Sequence, residues 1–340
     1  MYKKKHYKEL NIQPLYKIDV KQKKELTYKL SKLLVDTFPK QQLNYSKIAK
    51  VLNNTEMYIS KIPTGVSPVN YSYIDETIYI SDEIEVDIKN EFLLHEFLHR
   101  IQESRNKKNK LIQIGICNIF ETKIQGLAIN EATTQYIVKK ILGSENQIVE
   151  IYDMKIPTIS KNYYPILTNL IEQITYLIGD DILIYSNLNG KDDFMYYAID
   201  NLGEKTYFSI QSNFDKILDA KNNILKHKDV QANINIIKDT YKETQYIILT
   251  NYFDNMFRKI ETPYELKQYQ NKLLNYKKYM GVIDEQYIFT EYFNKKENDI
   301  KELQSKIESK ALTVIKGNKI INILNKIINY FEKKVLNNLW

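Results

Sequence analysis

Two histidines and a glutamate stand close together in the segment His95-Glu96-Phe97-Leu98-His99. Residues four apart on a helix lie about one turn apart on nearly the same face, so both imidazoles can reach one tetrahedral metal ion. The glutamate beside the first histidine is then placed to hydrogen-bond a water on the metal rather than to bind the metal itself. This spacing is the His-Glu-x-x-His pattern, and it predicts a zinc site with Glu96 as general base.

A catalytic zinc site also needs a third protein ligand and one open position. Glu131 lies on a second predicted helix that begins after Gly126. Its small neighbours Ala128 and Ala132 would let this helix pack closely against the helix of the motif. Glu121 is nearer in sequence and is the alternative ligand. We prefer Glu131 because of its helical setting.

The elements that must position these residues are read from the spacing of apolar side chains. The first half of the chain predicts helices over 22–38, 44–53, 87–102 and 127–142, with short strands over 57–60, 71–74 and 77–81. Beyond about residue 150 strands largely disappear, and helices are predicted over 163–178, 215–228, 230–257, 264–280, 289–316 and 318–336. The predicted fold class is therefore α+β for roughly the first 150 residues, followed by a mainly α-helical C-terminal half.

The motif and the helical segment Asn130-Glu131-Ala132 together resemble the gluzincin branch of the zinc metallopeptidases, the group that includes thermolysin. The resemblance covers roughly residues 70–140. It implies a small strand-edged sheet over the motif helix and an edge strand around Ile78–Ile80 that pairs with a substrate main chain. It also implies zinc held by His95, His99 and Glu131, with Glu96 as the base.

The predicted elements, together with this resemblance, divide the chain into three parts. Residues 1–55 are predicted to be a helical N-terminal extension, residues 56–150 a zincin-like catalytic core, and residues 151–340 a mainly helical C-terminal region.

Further residues are expected near the zinc. Thermolysin-like enzymes carry an acidic residue four positions after the third ligand, where it supports a zinc-bound histidine. Gln135 occupies this position, and its amide can accept a hydrogen bond from an imidazole but brings no negative charge. Asn130 is a second candidate for this supporting role. The group commonly uses a Tyr or His to stabilise the oxyanion, and Tyr163, Tyr164 and His227 are the candidates.

Composition limits the other functions. The formal charge of +7 comes from 49 Lys plus Arg against 42 Asp plus Glu, with both signs interspersed, so we interpret the lysines as a solvated surface and expect no nucleic-acid partner. No stretch approaches the roughly 20 apolar residues of a membrane span, and no signal-peptide pattern follows the basic amino terminus, which predicts a cytoplasmic protein. Cys117, the single cysteine, is expected to be a small buried hydrophobe rather than a nucleophile.

Together these observations predict a zinc-dependent hydrolase, a metallopeptidase that acts on a peptide or protein substrate. Two alternatives remain at this point. One is a helical interaction protein that keeps a zincin-like core without turnover. The other is a nucleic-acid-binding protein that uses its lysine-rich helices, which a steep salt dependence of binding would reveal.

Overall fold

The structure, a computed structural model, describes residues 6–120, 123–280, 289–309 and 326. It shows a mixed α/β chain with small sheets and a helical C-terminal half. The helices are α1 (His6–Glu9), α2 (Val20–Thr37), α3 (Tyr45–Asn54), α4 (Glu91–Gln102), α5 (Leu127–Ile141), α6 (Pro165–Ile178), α7 (Asp181–Asn189), α8 (Asp193–Leu202), α9 (Glu204–Leu225), α10 (Val230–Arg258) and α11 (Pro263–Met280). Residues 290–309 are helical as well, within the predicted helix over 289–316. The strands are β1 (Gln13–Lys17), β2 (Glu56–Lys61), β3 (Val69–Ser72), β4 (Thr77–Ser81), β5 (Glu103–Arg105), β6 (Leu111–Ile114), β7 (Cys117–Phe120), β8 (Lys123–Gln125), β9 (Gln147–Ile151) and β10 (Met154–Thr158).

Helix α4 begins where the sequence supplies a cap. The side chain of Asn90 accepts hydrogen bonds from the backbone N–H groups of Phe92 and Leu93, which satisfies two donors that a helix start leaves free. Both Leu94 and Leu98 are fully buried, so this helix is held in the core by its apolar side chains. The motif residues therefore lie on a fixed element.

Helix α5 begins after Gly126, which has a left-handed backbone with a φ of +77°. The side chains of Ala128 and Ala132 are fully buried. Helices α4 and α5 pack against each other. This packing follows from small side chains, which let two helix backbones approach, and it brings Glu131 to the motif helix.

The first sheet has the strand order β1-β2-β4-β3, with β2 and β4 parallel and the other two pairings antiparallel. Strand β4 lies inside the sheet and all of its residues are buried. The expectation that an edge strand lies around Ile78–Ile80 is therefore wrong. Strand β3 is the edge that packs on α4, because β4 already pairs with a neighbour on each side.

A second sheet, of order β5-β6-β7-β8, fills the connection between α4 and α5, where the sequence analysis proposed no strands. Its strands are only three or four residues long and lack clear alternation, which explains why the pattern was missed. The hairpin of β9 and β10 crosses residue 150, so strands continue slightly beyond the point where they were expected to end.

The chain divides into two units, Met1–Tyr252 and Phe253–Trp340. The three-part division of the sequence analysis stays a prediction. The first unit contains both four-stranded sheets and the motif helix. In the second, the ring of Phe253 contacts that of Tyr269, and Lys296 Nζ lies 2.8 Å from Asp254 Oδ1. Among the residues that the structure describes, every helix is too short or too polar to span a membrane.

Candidate metal centre

The structure brings His95, His99 and Glu131 together. The two Nε2 atoms lie 2.9 Å apart, Glu131 Oε2 lies 3.2 Å from His95 Nε2, and Glu131 Oε1 lies 3.2 Å from His99 Nε2. Two nitrogen ligands at about 2.05 Å in a tetrahedron are separated by about 3.3 Å. The three side chains therefore stand at nearly the spacing that one tetrahedral zinc ion requires.

The Nδ1 atom of each imidazole points away from the cluster. Its hydrogen bond determines whether the Nε2 atom, which faces the cluster, carries a lone pair. His95 Nδ1 is 3.1 Å from Gln135 Oε1, and His99 Nδ1 is 3.2 Å from Gln102 Oε1. Since an amide oxygen only accepts, both Nδ1 atoms are donors. In the neutral rings both Nε2 atoms then carry lone pairs that point at each other and at a carboxylate. A cation among these acceptors, either a proton or a metal ion, would relieve their mutual repulsion.

The electrostatics of the cluster favour positive charge. Burial lowers the pKa of His99, but the nearby Glu131 carboxylate outweighs it and raises that pKa to about 9. Burial raises the pKa of the Glu131 carboxyl, yet the charge of His99 and the hydrogen bonds from both imidazoles hold it well below its usual range. The negative charge of Glu131 stabilises both a proton on His99 and a divalent cation, so the two compete for the site.

Glu96 points to the cleft beside this cluster and is not one of its three members. Its Oε2 accepts a hydrogen bond from the backbone N–H of Tyr71, at 2.9 Å. Burial raises the pKa of the Glu96 carboxyl, although the two histidines oppose the shift. A carboxylate with a raised pKa, fixed by one backbone donor, is a suitable proton acceptor.

The cleft has a volume of about 210 Å³ and opens beside the cluster. Strand β3, the second sheet and the first turn of α5 supply most of its walls. Beyond the cluster and Glu96, the lining residues are Asn70, Tyr71, Tyr73, Ile114, Cys117, Ile119, Leu127 and Asn130. Cys117 is buried, as expected, and burial raises its thiol pKa to about 12, so it is a neutral wall residue rather than a nucleophile.

The three oxyanion candidates have different positions. The ring of Tyr163 lies 5.0 Å from the ring of His95 and that of Tyr164 lies 6.3 Å away. Burial raises the pKa of both phenols, so both hydroxyls are neutral hydrogen-bond donors. Lys221 Nζ stands 4.3 Å from the centre of the Tyr164 ring. His227 follows the end of α9 on an exposed turn, so the structure does not bring it to the cluster through any described contact.

The expected supporting residues are also present. Gln135 contacts His95 directly, and Asn130 lies further out, where its Oδ1 accepts the backbone N–H of Ile116. Gln102 was missed, although its position three residues after His99 on the same helix was a usable signal. The alternative ligand Glu121 lies outside the described residues.

A buried ion cluster attaches the edge strand to the end of α4. The Glu103 carboxylate contacts Arg100 Nη1 at 2.6 Å and Arg105 Nε at 2.9 Å, and it accepts the Tyr71 hydroxyl at 2.7 Å. Arg105 also donates to the backbone carbonyl of Tyr73 at 2.7 Å. The spacing of residues in the sequence does not indicate this cluster, because β3 and β5 are separate in the chain and no local pattern relates them. It fixes the strand whose N–H holds Glu96.

Comparisons with known proteins add no family to this description. No protein-family model matches the chain, and no curated protein or solved structure matches it either. The site must therefore be interpreted from its own chemistry.

Proposed function

We propose that this protein is a zinc-dependent hydrolase, a metallopeptidase of gluzincin-like type that cleaves a peptide bond in the cleft beside His95, His99 and Glu131. The observation that carries the proposal is the convergence of two imidazole lone pairs and one carboxylate, with Glu96 beside them. Three protein ligands leave a fourth position open, which distinguishes catalytic from structural zinc sites.

Zinc, when bound, would lower the pKa of its water and polarise the scissile carbonyl. The chain's own residues then have defined tasks. Glu96 accepts the proton of the attacking water and carries it to the leaving amine, while the Tyr71 N–H keeps its carboxylate in place. Tyr163 or Tyr164 donates a hydrogen bond to the developing oxyanion. The outer edge of β3, apart from the Tyr71 N–H that donates to Glu96, offers main-chain groups to an extended substrate.

The test compares two isosteric substitutions of carboxylates that face the same cleft. Protein purified without chelator should contain one zinc per chain. Glu96→Gln should keep this zinc and lose hydrolysis of a broad peptide library by about 10²–10⁴-fold, because it removes the proton acceptor but no ligand. Glu131→Gln should lose the zinc, since an amide is a much weaker ligand than a carboxylate.

The outcomes separate the proposal from its alternative. A wild type that binds zinc but hydrolyses no peptide, with Glu96→Gln behaving identically, would indicate an interaction protein with an inactive core. A wild type without zinc, or unchanged zinc in Glu131→Gln, would refute the assignment of the ligands.

A further inference from the structure

The two histidines donate to the oxygens of two buried amides, and the groups hydrogen-bonded to the NH₂ end of each amide differ. Gln102 holds His99 and Gln135 holds His95, both through the amide oxygen. Both glutamines are buried, with 1% and 0% of their surface exposed. Bulk water therefore has little access to exchange with their partners, and the orientation of each amide depends on the groups behind it.

The chain behind Gln102 ends on a backbone N–H. Ile116 N–H donates to Asn130 Oδ1 at 3.1 Å, so that oxygen must also accept from Asn187 Nδ2 at 3.0 Å. Asn187 then turns its oxygen toward Gln102 Nε2, at 2.6 Å, and Gln102 turns its oxygen toward His99. Gln102 Nε2 also donates to Thr134 Oγ1 at 3.0 Å, so one rotatable hydroxyl lies beside this amide as well. A backbone N–H can only donate, so the direction of every bond in this chain is determined.

The chain behind Gln135 ends on a hydroxyl. Gln135 Nε2 donates to Ser160 Oγ at 3.0 Å, and this hydroxyl in turn donates to the backbone carbonyl of Tyr163. A serine hydroxyl rotates and serves as donor or acceptor. If the residue at 135 presented an oxygen instead of an NH₂ group, Ser160 could rotate and donate to it.

We propose that Gln102, Asn187 and Asn130 form a one-directional amide relay from the Ile116 N–H to His99, and that this relay sets the orientation and the metal affinity of His99. The three are positioning residues, since they act through the ligand and not on the substrate. The proposal rests on the metal site of the proposed function. It assigns to Asn187, on α7, a role in a centre whose ligands lie on α4 and α5.

The relay predicts opposite results for two chemically identical substitutions. A carboxylate that accepts from a ligating imidazole normally strengthens the ligand, and changes at such positions alter metal affinity by about 10–100-fold. Gln135→Glu should therefore bind zinc about tenfold more tightly, because Ser160 can rotate to donate to the new oxygen. Gln102→Glu should bind zinc about tenfold more weakly at pH 8, because its new oxygen faces the fixed oxygen of Asn187 at the 2.6 Å contact, and this repulsion remains even when the Thr134 hydroxyl rotates to donate to the new oxygen.

Zinc affinity is measured by competition with a chromophoric chelator on the full chain. The unfolding free energy of the metal-free variants is measured alongside to show that each one folds. If Gln102→Glu tightens zinc binding as Gln135→Glu does, the relay has no direction and the proposal is overturned.

A second variant removes the fixed acceptor. Asn187→Ala leaves space behind residue 102 that a water can occupy, and that water can donate to a carboxylate. The double variant Gln102→Glu/Asn187→Ala should therefore recover zinc affinity relative to Gln102→Glu, a rescue that general destabilisation would not give. If Gln102→Glu alone does not fold, the double variant is compared with Asn187→Ala, and zinc binding weaker in the double variant would contradict the relay. Asn222→Asp, an exposed substitution on α9, controls for added charge.

These measurements separate the relay from the proposed function. If the wild-type protein binds no zinc, both the relay and the proposed function are refuted. Zinc binding with the expected opposite shifts, but without peptide hydrolysis, supports the relay and removes the peptidase. Hydrolysis together with equal shifts in the two glutamate variants supports the peptidase and removes the relay.

Discussion

The substitution Gly115→Ala tests how much the packing around the relay contributes to the free energy of unfolding. Gly115 lies in the turn between β6 and β7 with a φ of +56°. A Cβ added there would stand 2.2 Å from Asn130 Oδ1 and 2.9 Å from Asn187 Nδ2. Both contacts are far closer than atoms tolerate, so Gly115→Ala must displace the two amides. The hydrogen bonds that fix Asn130 would be broken or lengthened.

A matched control separates the cost of the left-handed backbone from the cost of displacing the two amides. Gly143 has nearly the same backbone, with a φ of +62°, and a Cβ added there meets no atom within 4 Å. Gly143→Ala should cost about 1 kcal/mol, from the left-handed backbone alone. Gly115→Ala adds buried polar groups left without partners, at about 1–3 kcal/mol each, so a total of about 3–5 kcal/mol is expected.

The assay is urea denaturation of the metal-free protein, followed by zinc titration of each variant that folds. Gly115→Ala should lower both the unfolding free energy and the zinc affinity, whereas Gly143→Ala should lower only the first. Equal costs for the two variants, with unchanged zinc affinity, would refute the reasoning that Gly115 is required by the amides behind His99.

Three further predictions concern groups outside the relay. Burial raises the pKa of Glu172 to about 7, above the ordinary value of 4.5, so the folded state holds this proton more tightly. Stability should fall as the pH rises from about 4.5 to about 7, by up to about 3 kcal/mol. Glu172→Gln should remove this decline, as urea denaturation at pH 5 and pH 8 would show, and an unchanged slope would contradict it. Glu91→Ala leaves the buried ammonium of Lys139 unpaired and should cost about 3 kcal/mol, whereas Glu25→Ala, at an exposed helix pair, should leave the denaturation midpoint unchanged. The Cys117 thiol should react with iodoacetamide at pH 8 much more slowly in the folded protein than in denaturant, and equal rates would contradict its burial.

The sequence predicted local structure well where apolar spacing was strong. The helices around the motif and around Glu131 are confirmed, with bounds shifted by a few residues at their starts or ends. The short strands of the second sheet and helices α7 and α8 were missed. Each strand there has three or four residues, too few for a period to show, and their pairing is decided by contacts with the rest of the fold.

The same limit applies to the site. Residues His95 and His99 share one helix, so their spacing carries geometric information that a sequence reveals directly. Glu131 could be chosen because its helix has small neighbours. The contact of Gln102 with Asn187 joins residues 85 positions apart, and no local pattern encodes it. The edge strand was misplaced for a related reason, since strand order depends on pairing partners and not on the composition of one strand.

The position of Asn187 in the chain also has a consequence for biosynthesis. A nascent chain that extends only through α5 already contains both histidines and Glu131, but not the amide that orients His99 through Gln102. If zinc binds at that stage, it binds to a site in which Asn187 does not yet orient His99 through Gln102. Full affinity arises only after α7 has been made and has packed on α4 and α5. Under the proposed relay, loading of the metal would be linked to the completion of folding.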